Sequence, residues 1–169
     1  MKRLTLKKTL ILFILPAILF SFSTRPDKSN FTGSWKLNED KSELGEFGAR
    51  FAPRKIKVDQ KDDAITISKT APTFNGDEAT TTEAISYDGK VTESSPFPSA
   101  KKKSTLKWAD DGKSFVISYT LSFDINGETS EAKGTETWTL GSDGKTFNAE
   151  IHSSSARGEI TMKELFEKE

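Results

Sequence analysis

The amino-acid sequence predicts an all-β fold: an antiparallel up-and-down meander barrel of about 8–10 strands, with a short helical or loop insertion after the first strand. Two patterns support this, a period-two alternation of apolar residues and turn signals between the alternating segments. The clearest segment is Ser114–Ile125, in which the alternate residues are Phe115, Ile117, Tyr119, Leu121, Phe123 and Ile125. Because alternate side chains of a strand point to opposite faces, this segment is a long, half-buried strand.

Weaker alternation predicts the other strands, at residues 31–37, 56–58, 65–67, 80–87, 90–93, 104–109, 135–140, 145–151 and 159–163. The turns between them carry Asp88-Gly89, Asp111-Gly112 and Asp143-Gly144, each followed by lysine. Asp-Gly suits a two-residue hairpin because both positions accept a positive φ. Consecutive hairpins pair strands that are neighbours in the sequence, which is a meander.

One connection is longer than the others, between Leu37 and Lys55. Within it, Leu44, Phe47 and Phe51 form an apolar side. The segment is expected to form a helical turn, or a lid over residues 41–51.

The N-terminus has the layout of a secretory signal peptide. Four basic residues lie within residues 2–8, an apolar run follows over residues 10–22, and small residues stand at Ser21 and Ser23. The alternative is a retained membrane anchor, but a spanning helix needs about 20 apolar residues. The expected organisation is a cleavable signal peptide at residues 1–23, a polar stub at 24–30 and one barrel domain at 31–169. Without cysteine near the cut, a lipoprotein is excluded, so a periplasmic or secreted protein is expected.

Composition excludes several functional classes. The 169 residues carry 25 Lys and Arg against 25 Asp and Glu, so no net field draws the chain to nucleic acid or, after signal cleavage, to a membrane. The absence of cysteine excludes disulfides, thiolate zinc sites and thiol nucleophiles. No cofactor is expected, and the protein is expected to be a monomer.

The opening residues 31–37, with Gly33 and Trp35, resemble the first strand of the calycins, the superfamily of lipocalins and fatty-acid-binding proteins. About ten hairpin-linked strands and an early insertion look most like the fatty-acid-binding layout, and the chain is identified as a secreted bacterial lipocalin-like protein. The resemblance implies that Trp35 seals the closed end of the barrel, next to Gly33, and that Arg157 packs over it.

Two family signatures are absent. The Thr-Asp-Tyr motif of lipocalins does not occur, and neither does the C-terminal Arg-x-Tyr pair with which fatty-acid-binding proteins hold a carboxylate. Residues 161–166 stand where the C-terminal Arg-x-Tyr pair would be, and Lys163 is a positively charged residue among them. A fatty acid is therefore not implied as the ligand.

A barrel of about ten strands leaves more interior space than side chains fill, so a lined cavity is the first site hypothesis. Its predicted walls are Ile67, Phe115, Ile117, Tyr119, Leu121, Phe123 and Trp138. The partner is then a small hydrophobic or amphipathic ligand. The alternative is a filled barrel or a two-sheet sandwich, in which these residues are only core.

No catalytic or metal-binding residues are predicted. His152, the only histidine, falls on the polar, outer face of its strand, and no Gly-x-Ser-x-Gly elbow occurs. The main hypothesis is thus an exported, non-enzymatic ligand-binding barrel. Alternatives are a structural or protein-interaction module that uses residues 80–82 and the loop 94–103 with Phe97, and an isomerase or dehydratase built in a similar barrel.

Overall fold

The computed structural model of the protein describes residues 27–125 and 127–169. In that part of the chain, one helix, α1 (Gly45–Phe51), and ten strands form. The strands are β1 (Gly33–Leu37), β2 (Lys55–Gln60), β3 (Ala64–Pro72), β4 (Glu78–Ser86), β5 (Thr92–Ser94), β6 (Ala100–Trp108), β7 (Ser114–Ile125), β8 (Glu128–Leu140), β9 (Thr146–Ser155) and β10 (Gly158–Lys168). A single 3₁₀ turn, Glu39–Lys41, precedes α1. The predicted all-β fold with an insertion after the first strand is confirmed.

All strand pairs are antiparallel, in the order β4-β3-β2-β1-β10-β9-β8-β7-β6-β5. The first and last strands meet, as β1 pairs with β10. The one seam lies between β4 and β5, where side chains replace the backbone ladder. Glu83 on β4 accepts hydrogen bonds from Lys102 Nζ (2.7 Å) and Ser104 Oγ (3.1 Å) on β6. The sheet is thereby a nearly closed barrel.

The three Asp-Gly turns all lie at one end of the barrel, in the loops 87–91, 109–113 and 141–145. These loops are longer than the two-residue hairpins that the sequence predicted. The reason is local: the side-chain oxygens of Asp88, Asp111 and Asp143 accept hydrogen bonds from the backbone N–H two residues on, at 3.0, 2.9 and 2.9 Å. Each following glycine has a positive φ, of 65–77°.

The end of the barrel with these loops is closed by aromatic side chains. The Phe31 ring packs 4.9 Å from Phe115 and 5.9 Å from Phe147, and Phe147 lies 4.7 Å from Trp138, between ring centroids. All four residues are fully buried. Edge and offset aromatic pairs each add about 0.5–1.5 kcal/mol to the stabilisation from burial. Side chains therefore fill the interior of the barrel in this half.

Trp35 lies in this core, where its Nε1 donates to the carbonyl of Phe31 at 2.8 Å. Arg157 does not pack over it, contrary to the expectation from the resemblance. Arg157 is exposed in the β9–β10 hairpin, at the opposite end of β10. Lys168 takes that place: its Nζ lies 5.1 Å from the Trp35 ring. Gly33 leaves room for the Lys168 stem, because a Cβ there would stand 2.8 Å from its Cε.

The predicted signal peptide, residues 1–23, lies outside the described residues. Of the predicted stub, Ser29 N–H donates to the carbonyl of Gly112 at 2.8 Å, and Lys28 Nζ lies 3.9 Å from the Tyr87 ring centroid. The start of the described chain is thus attached to the closed end. Across residues 27–125 and 127–169, no helix has the length and apolar character needed to cross a bilayer.

Candidate functional site

A cavity of about 230 Å³ lies in the open half of the barrel, beside the seam between β4 and β5. Its apolar lining residues are Ile67, Leu121, Pro96 and Phe97. Tyr119 and the threonines 81 and 82 also line it. Apolar side chains with a few polar groups among them are typical of a small-molecule site.

Four charged side chains also line this cavity: Lys69, Glu83, Lys102 and Glu136. Glu136 Oε2 accepts from Lys69 Nζ at 2.5 Å, and its other oxygen lies 3.6 Å from Lys102 Nζ. Lys102 is also paired with Glu83 at 2.7 Å. We call these four residues the charged floor, because they form the layer between the cavity and the aromatic core.

The strand registers explain the charged floor. Glu136 precedes Trp138 by two residues on β8, so both side chains point inward, and Trp138 Nε1 donates to Glu136 at 3.3 Å. Lys69 stands two residues beyond Ile67 on β3, and its Nζ lies 5.6 Å from the Trp138 ring. On β8, the inward position next to the aromatic Trp138 is thus occupied by the charged Glu136.

Electrostatics keep Glu136 and Lys69 ionised. Burial alone would raise the pKa of Glu136, but Lys69 and then Lys102 outweigh it and hold this pKa at about 2. Burial likewise opposes the charge of Lys69, whose pKa is nevertheless raised by Glu136 and Glu83. The stabilisation from Glu136 is therefore present above its ordinary pKa of 4.5 and is lost as the pH falls toward 2.

A third carboxyl group, Glu164 on β10, behaves differently. Its residue is only 4% exposed, and it is not one of the residues that line the cavity. Burial raises its pKa to about 7; Lys69 and Arg54 act against this shift, and Glu136 adds to it. Glu164 is thus a buried carboxyl within electrostatic range of the charged floor.

Arg54 lies at the start of β2, but its guanidinium is engaged elsewhere. Nη2 donates to the carbonyl of Ala49 in α1 at 2.7 Å, and Nη1 lies 3.5 Å from Glu39. One hydrogen bond thus ties the guanidinium to α1, while its buried Nη1 has no hydrogen-bond partner among the described residues.

The residues predicted as cavity walls fall into three groups. Ile67, Tyr119 and Leu121 line the cavity. Phe115, Ile117 and Trp138 are fully buried in the core of the closed half. Phe123 lies near the mouth, 6.4 Å from Phe97 between ring centroids, and lines a separate outer depression.

Sequence reasoning missed the charged floor and Glu164. Lys102 is the middle residue of Lys101-Lys102-Lys103, a run that reads as a solvated edge, but only its outer two members face solvent. Lys69 and Glu136 continue the inward alternation from Ile67 and Trp138. The signal that could have revealed the charged floor was an ionisable residue at a position where the alternation predicts a buried side chain.

The insertion after β1 forms α1, as expected, at the open end. Phe51 packs between Phe47 and Phe74, at 5.1 and 4.8 Å between ring centroids. Phe47 and Phe74 are 49% and 87% exposed, so this aromatic group reaches the surface at the mouth. Opening and closing of residues 41–51 as a lid stays a prediction.

His152 lies exposed on the outer face of β9, as predicted, and its Nδ1 is 3.2 Å from Thr161 Oγ1. No group of three or more metal-ligating side chains occurs among residues 27–125 and 127–169.

Comparison with solved structures identifies the architecture. The wild-type fluorescent protein UnaG superposes with a TM-score of 0.51 at 13% sequence identity, covering 82% of this chain and 97% of that one. A mutant of UnaG gives a TM-score of 0.50, also at 13% identity, over 82% of this chain and 96% of that one. The chain has the same barrel fold as these structures.

A zebrafish ileal bile-acid-binding protein, in complex with cholic acid, gives a TM-score of 0.49 at 16% identity, over 82% of this chain and 98% of that one. No protein-family model matches the sequence, and no curated protein matches it significantly. The likeness is thus one of fold.

Proposed function

We propose that this protein is an exported, non-enzymatic carrier that holds a small amphipathic molecule in the cavity above the charged floor. The observation that carries the proposal is the division of the interior. The closed half is packed with aromatic rings, whereas the open half contains a cavity of about 230 Å³ that both apolar and charged side chains line. A concave space lined by apolar side chains together with a few fixed polar groups is the usual form of a small-molecule site.

The cavity dimensions limit the ligand. A volume of about 230 Å³ is below the range of roughly 300–1,000 Å³ that is usual for drug-sized pockets. The apolar part of the ligand would contact Ile67 and Leu121, and its polar part would face the charged floor. A short-chain amphiphile fits this arrangement better than a long-chain lipid.

Binding rather than catalysis is supported by the ion pairs. Lys69 is held protonated by Glu136, so it lacks the lone pair that a base or a nucleophile needs. Glu136 is held ionised by two lysines, so it is a poor general acid. Export is supported by the N-terminal pattern of basic, apolar and small residues.

Leu121→Trp tests the site. The larger side chain occupies the cavity from β7, so binding of 1-octanol is expected to fall at least tenfold in isothermal titration calorimetry. The matched control is Thr139→Trp, which adds the same side chain at an exposed position on β8 and should bind like the wild type. Equal binding by both variants would place any ligand outside this cavity.

The same pair of variants addresses the alternative function as a protein-interaction module. Phe47, Phe74 and Phe97 are exposed around the mouth and offer an apolar surface to a partner. A partner held by that surface would be retained by Leu121→Trp, because the substituted side chain lies inside the barrel. Loss of 1-octanol binding together with retention of such a partner would separate the two functions.

A further inference from the structure

The charged floor is balanced in charge. The charged residues that line the cavity are two lysines and two glutamates: Lys69, Lys102, Glu83 and Glu136. Their side chains are largely buried, at most 21% exposed. Each ammonium is paired with a carboxylate, since Lys69 lies 2.5 Å from Glu136 and Lys102 lies 2.7 Å from Glu83. The described residues around the cavity therefore present no net charge to a ligand.

An ion of either sign is disfavoured beside such a floor. A carboxylate that approached Lys69 or Lys102 would also approach the glutamate already paired with it, and an ammonium ion would meet the lysines in the same way. The ion would lose its hydration on entering the barrel, and a balanced set of charges would not offset that loss. The polar end of a ligand in this cavity is therefore expected to be uncharged.

One link of the charged floor is longer than the others. Ser104 Oγ and Lys102 Nζ donate to Glu83 at 3.1 and 2.7 Å, and Lys69 Nζ donates to Glu136 at 2.5 Å. Between these two groups, Lys102 Nζ lies 3.6 Å from Glu136 Oε1, which is too long for a hydrogen bond. An ammonium group has three donors and a carboxylate has about four acceptor sites, so each can take a further partner.

We propose that the polar end of the ligand is a hydroxyl group that bridges Lys102 and Glu136, accepting a hydrogen bond from the first and donating one to the second. This inference rests on the proposed function, because it names the ligand class for the same cavity. Both residues line that cavity, and Glu136 is ionised at neutral pH, so both hydrogen bonds are charge-assisted. Lys102 and Glu136 are then the residues that select an alcohol over a carboxylate or an amine of equal length.

Four probes of similar size test the inference on the wild-type protein: 1-octanol, its isomer heptyl methyl ether, octanoate and octylamine, each titrated by calorimetry at pH 7. The ether accepts hydrogen bonds but donates none, so it cannot bridge to Glu136. It is therefore expected to bind about tenfold more weakly than 1-octanol. Octanoate and octylamine are ionised at this pH and are also expected to bind about tenfold more weakly.

Glu136→Gln tests the assignment of the acceptor. A neutral hydrogen bond is about half as strong as a charge-assisted one, so the preference for 1-octanol over the ether should fall from about tenfold to about threefold. The two affinities are compared on the same variant, so a loss of stability affects both equally. The matched control is Glu150→Gln, at an exposed position on β9, which should keep the tenfold preference.

The outcomes separate the two proposals. If the ether, octanoate or octylamine binds as tightly as 1-octanol, the inference about the hydroxyl group is wrong although the protein still binds an amphiphile. An undiminished preference in Glu136→Gln, or an equal decrease in Glu150→Gln, would also overturn it. If Glu136→Gln does not fold, the four probes on the wild-type protein decide the question. If none of the four probes binds the wild-type protein, the proposed function fails, and the inference fails with it.

Discussion

Replacing Glu136 by glutamine is expected to lower the free energy of unfolding at pH 7 by about 3 kcal/mol, measured by urea denaturation. The substitution preserves the size of the side chain but removes the charge that lies 2.5 Å from Lys69 and 3.6 Å from Lys102. Lys69 then remains buried without its main partner. The expected loss is at the lower end for a broken buried pair, because Glu83 and Glu164 still face the lysines.

A double-mutant cycle identifies the cause of this loss. Lys69→Met in the Glu136→Gln background removes the unpaired ammonium and should restore a large part of the stability. Glu150→Gln, on the outer face of β9, should change the free energy of unfolding by less than about 0.5 kcal/mol. A loss below 1 kcal/mol for Glu136→Gln, or no recovery on adding Lys69→Met, would show that the charged floor is not a coupled unit.

Glu164→Gln is expected to change the pH dependence of stability. The pKa of Glu164 is about 7 in the folded protein and ordinarily 4.5, so the folded state binds an extra proton between these values. The free energy of unfolding should therefore fall as the pH rises from 4.5 to 7, by up to about 3 kcal/mol at 1.36 kcal/mol per pKa unit. Glutamine removes this loss, so the variant should be more stable than the wild type at pH 8.

Urea denaturation at several pH values between 5 and 8 measures the effect. The difference between Glu164→Gln and the wild type should grow with pH across this range and level off above pH 7. This pH range lies above the titration of Glu136. Protonation of Glu136 lowers the stability as the pH falls below 4.5, which is the opposite dependence. Parallel stability curves for the two proteins would show that burial does not raise the pKa of Glu164 in the folded protein.

The fold was predictable because its signals are local. Alternation over Ser114–Ile125 predicted β7 with the bounds observed, and the Asp-Gly turns predicted where neighbouring strands separate. The lengths of the loops were harder to predict from the sequence. Asp111 and its equivalents bind the backbone two residues on, which stabilises a longer turn than the dipeptide alone suggests.

The site was only partly predictable, because its contents depend on how far up the barrel each inward residue lies. Trp138 and Tyr119 both point inward, but Trp138 is packed in the closed half and Tyr119 lines the cavity. Alternation gives the face of a strand and not the depth along the barrel. The error about Arg157 has the same origin. Arg157 precedes β10 at the open end, whereas Lys168 is the last residue of β10 and lies over Trp35 at the closed end.

Binding of a small amphiphile in the open half of the barrel can be measured by titrating ¹⁵N-labelled protein with 1-octanol and following backbone amide shifts by NMR. We expect saturable shifts concentrated at Lys69, Glu83, Tyr119 and Leu121, with the outer-face amide of His152 unaffected. Shifts confined to the outer surface, or no saturable shifts at the cavity, would contradict it.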